Sequence, residues 1–152
     1  MPSSRYRRQI IHSGIVSLIG LAGCSLRTHS GIQLGGVRVE NFTAQPQRVS
    51  ITVKKNGTSV HNSTVDVEAV STTADGENVF GTKFINCTWD PDDIGDFVVT
   101  AHDERTDETV RIGANKELDG GCHWISVRVD SGFNAFWNEC EPYDGAGHLC
   151  YE

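Results

Sequence analysis

From Val49 to Val53 every second residue is apolar: Val49, Ile51 and Val53 alternate with Ser50 and Thr52. A period of two places successive side chains on opposite faces of an extended strand, so this stretch is a strand with one buried face. Asn56-Gly57 follows directly, and both central residues of a two-residue type I′ turn need positive φ. The chain then returns through Val60, Val65 and Val67. A hairpin here forces the same logic on the remainder. No window after residue 30 carries a sustained helical repeat, whereas period-two patterns recur.

Val37 and Val39 form one such pattern. The stretch 71–78 is polar and reads as a loop, and 79–89 reads as a strand carrying Phe80, Phe84 and Cys87. Residues 95–103, 108–112, 123–129 and 133–139 complete the set, separated by turns at Asp90-Pro91-Asp92-Asp93, 104–107 and Asp119-Gly120-Gly121. About seven to eight short strands with polar turns predict an all-β fold, an antiparallel Greek-key, immunoglobulin-like sandwich.

Ahead of this body lies a basic head with Arg5, Arg7 and Arg8, an apolar run from Ile10, and Leu21-Ala22-Gly23-Cys24. The run is interrupted by His12, Ser13 and Gly14, and a membrane span needs about 20 mostly apolar residues. It reads as a cleaved leader. Small residues before a cysteine resemble the lipobox of bacterial and archaeal lipoproteins, and Arg7-Arg8 followed by Gln9-Ile10-Ile11 resembles a twin-arginine export signal. The resemblance implies cleavage before Cys24, lipidation of Cys24, and export of a folded domain to the outer face of the cytoplasmic membrane. The expected organisation is a signal peptide at 1–23, a lipidated cysteine and flexible tether at 24–36, a β-sandwich at 37–140, and a C-terminal tail at 141–152 pinned by a disulfide.

Removing Arg5, Arg7 and Arg8 leaves 129 residues from Cys24, with ten basic residues against twenty acids, a net charge of −10. That balance argues against nucleic acid, whose binding needs basic patches. It equally argues against electrostatic attraction to anionic headgroups. High salt shortens the screening length to about 3 Å at 1 M and relieves such crowding of carboxylates. Leader, lipobox and acidic β-rich body together are similar to the small lipoproteins of haloarchaea. That resemblance carries no activity with it.

Four cysteines remain in the mature body: Cys87, Cys122, Cys140 and Cys150. An even number in an exported domain reads as two disulfides, with three possible connectivities. The loop Asp130-Ser131-Gly132 sets Val129 opposite Phe133, Val127 opposite Ala135 and Ile125 opposite Trp137. A slip of one residue would turn the core face outward. This register opposes Cys122 and Cys140, so the expected bonds are Cys122–Cys140 and Cys87–Cys150. The competing connectivity is Cys87–Cys122 with Cys140–Cys150.

No metal or other cofactor is expected. No Cys-x-x-Cys spacing exists, and paired cysteines would leave no thiolate to join His123 or His148. A blue-copper site usually includes an axial methionine, and Met1 is the only methionine. Asp90, Asp92, Asp93 and Asp96 lack the spacing of a calcium loop and read as a solvated turn. No Gly-x-Ser-x-Gly occurs, and the histidines are scattered, mostly flanked by polar residues, and read as surface groups. Asn41, Asn56 and Asn62 open glycosylation sequons, as does Asn86 beside a cysteine. The expectation is a lipid-anchored, non-catalytic binding or structural module. Its partners would be the membrane, through the anchor, and a membrane or cell-surface protein. The alternative is an extracytoplasmic ligand- or metal-binding protein, cupredoxin-like or solute-binding, with Trp89, Trp124 and Trp137 as its pocket. A hydrolase with an unrecognised site is the third class.

Overall fold

A computed structural model describes residues 31–113, 118 and 120–140. Eleven strands lie among them, and no helix: β1 (Ile32–Asn41), β2 (Gln47–Lys55), β3 (Thr58–Val67), β4 (Ser71–Thr72), β5 (Asn78–Val79), β6 (Gly81–Phe84), β7 (Ile94–Gly95), β8 (Phe97–Asp103), β9 (Glu108–Gly113), β10 (Cys122–Val129) and β11 (Phe133–Glu139). Three of these have only two residues. The chain is all-β. One sheet is mixed, in the order β11-β10-β1-β6 with β7 also on β1; the second is antiparallel, in the order β3-β2-β8-β9.

The two sheets share one apolar core, as in a β-sandwich. Val37, Val39, Ile125 and Val127 from the first pack with Val49, Ile51, Val53, Phe97 and Val99 from the second. All of these are essentially inaccessible to solvent.

The hairpin turns follow the local chemistry. Asn56 and Gly57 have φ of 50° and 81°, as a type I′ turn requires. Asp103, fully buried, closes the β8–β9 turn by accepting from the Arg105 amide at 2.9 Å and the Thr106 hydroxyl at 3.0 Å. Asp130 accepts from the Gly132 amide at 3.0 Å. The β10–β11 register pairs Val129 with Phe133, Val127 with Ala135 and Ile125 with Trp137. Cys122 and Cys140 are disulfide-bonded, with Cα atoms 5.3 Å apart.

Three stretches differ from the sequence expectation. The first strand begins at Ile32, inside the segment read as tether. It runs parallel to β10 with a bulge between Leu34 and Gly36. The extra residue lets Ile32 and Leu34 face the core together with Val37 and Val39, which breaks the period of two. The indole of Trp89 donates to the Leu34 carbonyl at the bulge, at 2.8 Å. Second, the stretch 79–89 is a strand only over Gly81–Phe84; Ile85 and Trp89 then turn inward to the core. Third, the polar stretch 71–78 contains β4 and part of β5, which pair as a small ribbon.

Candidate functional site

The alternation that buries Val37, Val39, Ile125 and Val127 points Arg38, Glu40, Trp124, Ser126 and Arg128 out of the mixed sheet. Register then aligns residues across strands. Arg38 pairs with Phe84 on β6 and with Ser126 on β10, and Ser126 pairs with Phe136 on β11. One row across four strands therefore reads Phe84, Arg38, Ser126, Phe136. The solvent side of a sheet is normally polar, yet Phe84 is 45% exposed and Phe136 46%.

The guanidinium groups lie over rings: Arg38 sits 4.4 Å above Trp124, and Arg128 lies 4.8 Å from Phe42 and 5.5 Å from Phe136. Phe42 in turn packs on Phe80 with ring centroids 4.3 Å apart. Glu40 ties the two arginines together. Its carboxylate pairs with Arg38 at 3.0 Å, reaches Arg128 at 4.0 Å and accepts from the Ser126 hydroxyl. Cation–π attraction of this kind holds each guanidinium over its ring. The outer face of the second sheet is different in kind, carrying Ser50, Thr52, Thr64, Thr100, His102 and Thr109.

A second feature lies at the side of the sandwich, where β3 and β6 are the sheet edges. A cleft of roughly 540 Å³ opens there, lined by His61, Ser63, Lys83, Phe84 and Asn86 among others. The His61 imidazole is buried against Trp89, edge to face at 5.6 Å. Its Nδ1 is 3.0 Å from the Thr88 hydroxyl and its Nε2 is 2.7 Å from the Ser63 hydroxyl. Burial depresses its pKa below the ordinary 6.5. A histidine whose folded pKa is lowered binds its proton more readily when unfolded, so it contributes destabilisation as pH falls through 6.5. The urea midpoint should therefore drop between pH 7.5 and 5.5, above the main carboxylate range. In His61→Gln the drop should be smaller; an equal drop in both proteins would rule His61 out as its source.

Other residues singled out in the sequence are scattered. Arg7, Arg8, Cys24, His148 and Cys150 lie outside the described residues. Cys87 is disulfide-bonded. Asn56 and Asn62 are exposed. Asn41 is fully buried, and its amide nitrogen donates to the carbonyls of Gln45 at 2.7 Å and Glu68 at 2.9 Å. The folded domain therefore does not present this sequon. The expectation of surface histidines fails for His61 and also for His123, which is buried and hydrogen-bonded to the Gly120 carbonyl at 2.7 Å. The three tryptophans do not share a cleft. Trp89 is in the core, Trp137 donates to the Gly113 carbonyl at 3.1 Å, and Trp124 lies beneath Arg38 on the outer face. In the acidic turn, Asp93 pairs with Lys55 and Asp90 accepts from the Asp92 amide at 2.9 Å. No group of three or more His, Cys, Asp or Glu side chains stands ready for a metal among the described residues.

The aromatic face was missed in the sequence, although one signal for it was present. Trp124 and Phe136 occupy the positions that alternate with the core residues Ile125 and Trp137, where a solvated strand carries polar groups. No protein-family model matches the chain, and no curated protein matches it.

Proposed function

We propose that this chain is a lipid-anchored, extracytoplasmic interaction module, tethered through Cys24 to the outer face of the cytoplasmic membrane. It docks a membrane or cell-surface protein on the outer face of its mixed sheet. The observation that carries the reading is the row Phe84, Arg38, Ser126, Phe136, flanked by Trp124 and Arg128. Aromatic residues and arginine are the side chains most enriched where proteins bind one another, and guanidinium groups already held over rings lose little entropy on contact. Two arginines meet one glutamate here, in a mature chain of net charge −10. The complementary partner surface is apolar with acidic groups around it. The separation of the three tryptophans favours this reading over a tryptophan-lined ligand pocket. The fold reading that goes with it is an immunoglobulin-like Greek key. Its support is that the chain passes between the two sheets four times, at β1–β2, β3–β6, β7–β8 and β9–β10.

The test is cross-linking in intact cells, followed by purification from solubilised membranes. Wild type is compared with Phe84→Asp/Phe136→Asp. Both rings are exposed, so melting should be unaffected while partner capture falls at least about 100-fold. Undiminished capture by the double variant would exclude this face. Cys24→Ser should appear in the medium or stay unprocessed; if it is processed and still fully membrane-bound, the anchor reading fails.

A further inference from the structure

We propose that Ser63 is a nucleophile activated by His61, and that the side cleft between β3 and β6 accepts the acyl group of small esters. This goes beyond the docking role and uses the side of the sandwich, which shares Phe84 with the docking face.

The argument starts from hydrogen positions. A threonine hydroxyl has one hydrogen. That of Thr88 is donated to the Val60 carbonyl at 2.6 Å. Toward His61 Nδ1, 3.0 Å away, the same oxygen can only accept. The imidazole therefore carries its hydrogen on Nδ1. Burial keeps the ring neutral near pH 7, so Nε2 presents a lone pair. The Ser63 hydroxyl, 2.7 Å away, must then donate to Nε2. Nucleophile, base and orienting group are thus arranged with the polarity that activates a serine.

The strand makes the pair rigid. Residues two apart on a strand share a face, so His61 and Ser63 project to the same side of β3. Trp89 fixes the ring edge to face, and Thr88 is tied to Val60 on that same strand. Satisfying a buried imidazole requires two hydroxyls. It does not require one of them to line an open cleft that also carries an ammonium group. Lys83, which lines the same cleft, is the cation available to an oxyanion on the substrate. Val65 and Phe84 give the cleft an apolar wall for the acyl chain. Asn62 and Thr64 point to the other face of β3, so a glycan on Asn62 would leave the cleft clear.

In the step, Ser63 Oγ bonds to the acyl carbon and its proton passes to His61 Nε2. The bond to the leaving alcohol breaks, and Nε2 returns the proton to the departing oxygen. Water repeats the sequence, releasing the acid and restoring Ser63. The imidazolium is faced by a hydroxyl dipole in place of a carboxylate, so acylation is slower than in a full triad and single-turnover labelling is the proper readout.

The experiment treats the purified chain with a fluorophosphonate probe, whose phosphorus bonds to the attacking serine oxygen as fluoride leaves to solvent and the serine proton passes to His61. Adducts are mapped by peptide mass spectrometry, and Ser71, exposed on β4, serves as internal reference. Ser63 should label at least about 100-fold faster than Ser71, and His61→Gln should remove about that factor. Thr88→Val should slow labelling and Thr88→Ser restore it. The rate should fall with acid only once pH drops below the ordinary histidine range. Lys83 is the one other titratable group among the described lining residues. Labelling of Ser63 no faster than Ser71 overturns the proposal, as does an unchanged rate in a folded His61→Gln variant. Should that variant not fold, the Thr88 pair decides: equal rates in Val and Ser variants overturn it.

Discussion

Phe97→Ala should lower the unfolding free energy by about 3–5 kcal/mol, the range for emptying a large aromatic site in a packed core. Phe97 is the largest of the fully buried side chains and begins β8 in the middle of the antiparallel sheet's inner face. Its ring packs among core residues that both sheets contribute. Neither sheet can collapse into the space without disturbing its ladder, so the cavity term adds to the lost transfer energy. A domain of this size holds about 5–15 kcal/mol in total, so the variant would sit near the threshold of folding. Urea titration at fixed ionic strength measures the effect. Phe136→Ala, at an exposed position, should change stability by no more than about 0.5 kcal/mol. A loss under about 1 kcal/mol in Phe97→Ala would mean that the two sheets do not share the core described above.

Asn41→Ala should cost about 3 kcal/mol, although it removes only a small polar side chain. The amide of Asn41 joins three segments. Its nitrogen donates to the Gln45 and Glu68 carbonyls, while its oxygen accepts from the Thr43 amide at 2.9 Å and the Thr43 hydroxyl at 2.8 Å. Truncation leaves several partly buried groups without this partner at once, and an unsatisfied buried group costs about 1–3 kcal/mol. Asn41→Asp keeps the acceptors but loses the donors and buries a charge, so it should fare no better. Differential scanning calorimetry of the variants tests this. A melting temperature within about 2 °C of wild type would show the hub to be dispensable. The practical consequence concerns glycosylation studies. Loss of expression after replacing Asn41 would reflect misfolding, whereas Asn62, exposed, can be replaced safely; Asn56, also exposed, holds φ at 50° and accepts from the Asp96 amide, so Gly or Asp is the replacement its turn allows.

What the sequence determined by itself is local. The φ values of Asn56 and Gly57, the period of two in β2, β8 and β10, and the turn at Asp130-Ser131-Gly132 depend on neighbours in the chain. From that turn and one apolar face came the pairing of Ile125 with Trp137 and hence the Cys122–Cys140 bond. Only the tertiary structure decided where β1 lies. Its parallel pairing with β10 joins Gln33 to Cys122, and the bulge at Gly35-Gly36 hides the strand's first half from any period-two reading. The strand expected over 79–89 ends after the Ile85 amide donates to the Val37 carbonyl at 3.0 Å, because Ile85 and Trp89 turn into the core and Trp89 donates to the Leu34 carbonyl. His61 lies between Val60 and Asn62 in sequence, and it is buried by Trp89 from another segment. The aromatic row draws on β6, β1, β10 and β11, and its central hydrogen bond, from Ser126 to Glu40, spans 86 residues. Turn dihedrals and alternation are set by steric and solvation forces acting within a few residues. Sheet order, the aromatic face and the cleft are set by which distant apolar surfaces bury one another, and that information is spread over the whole chain.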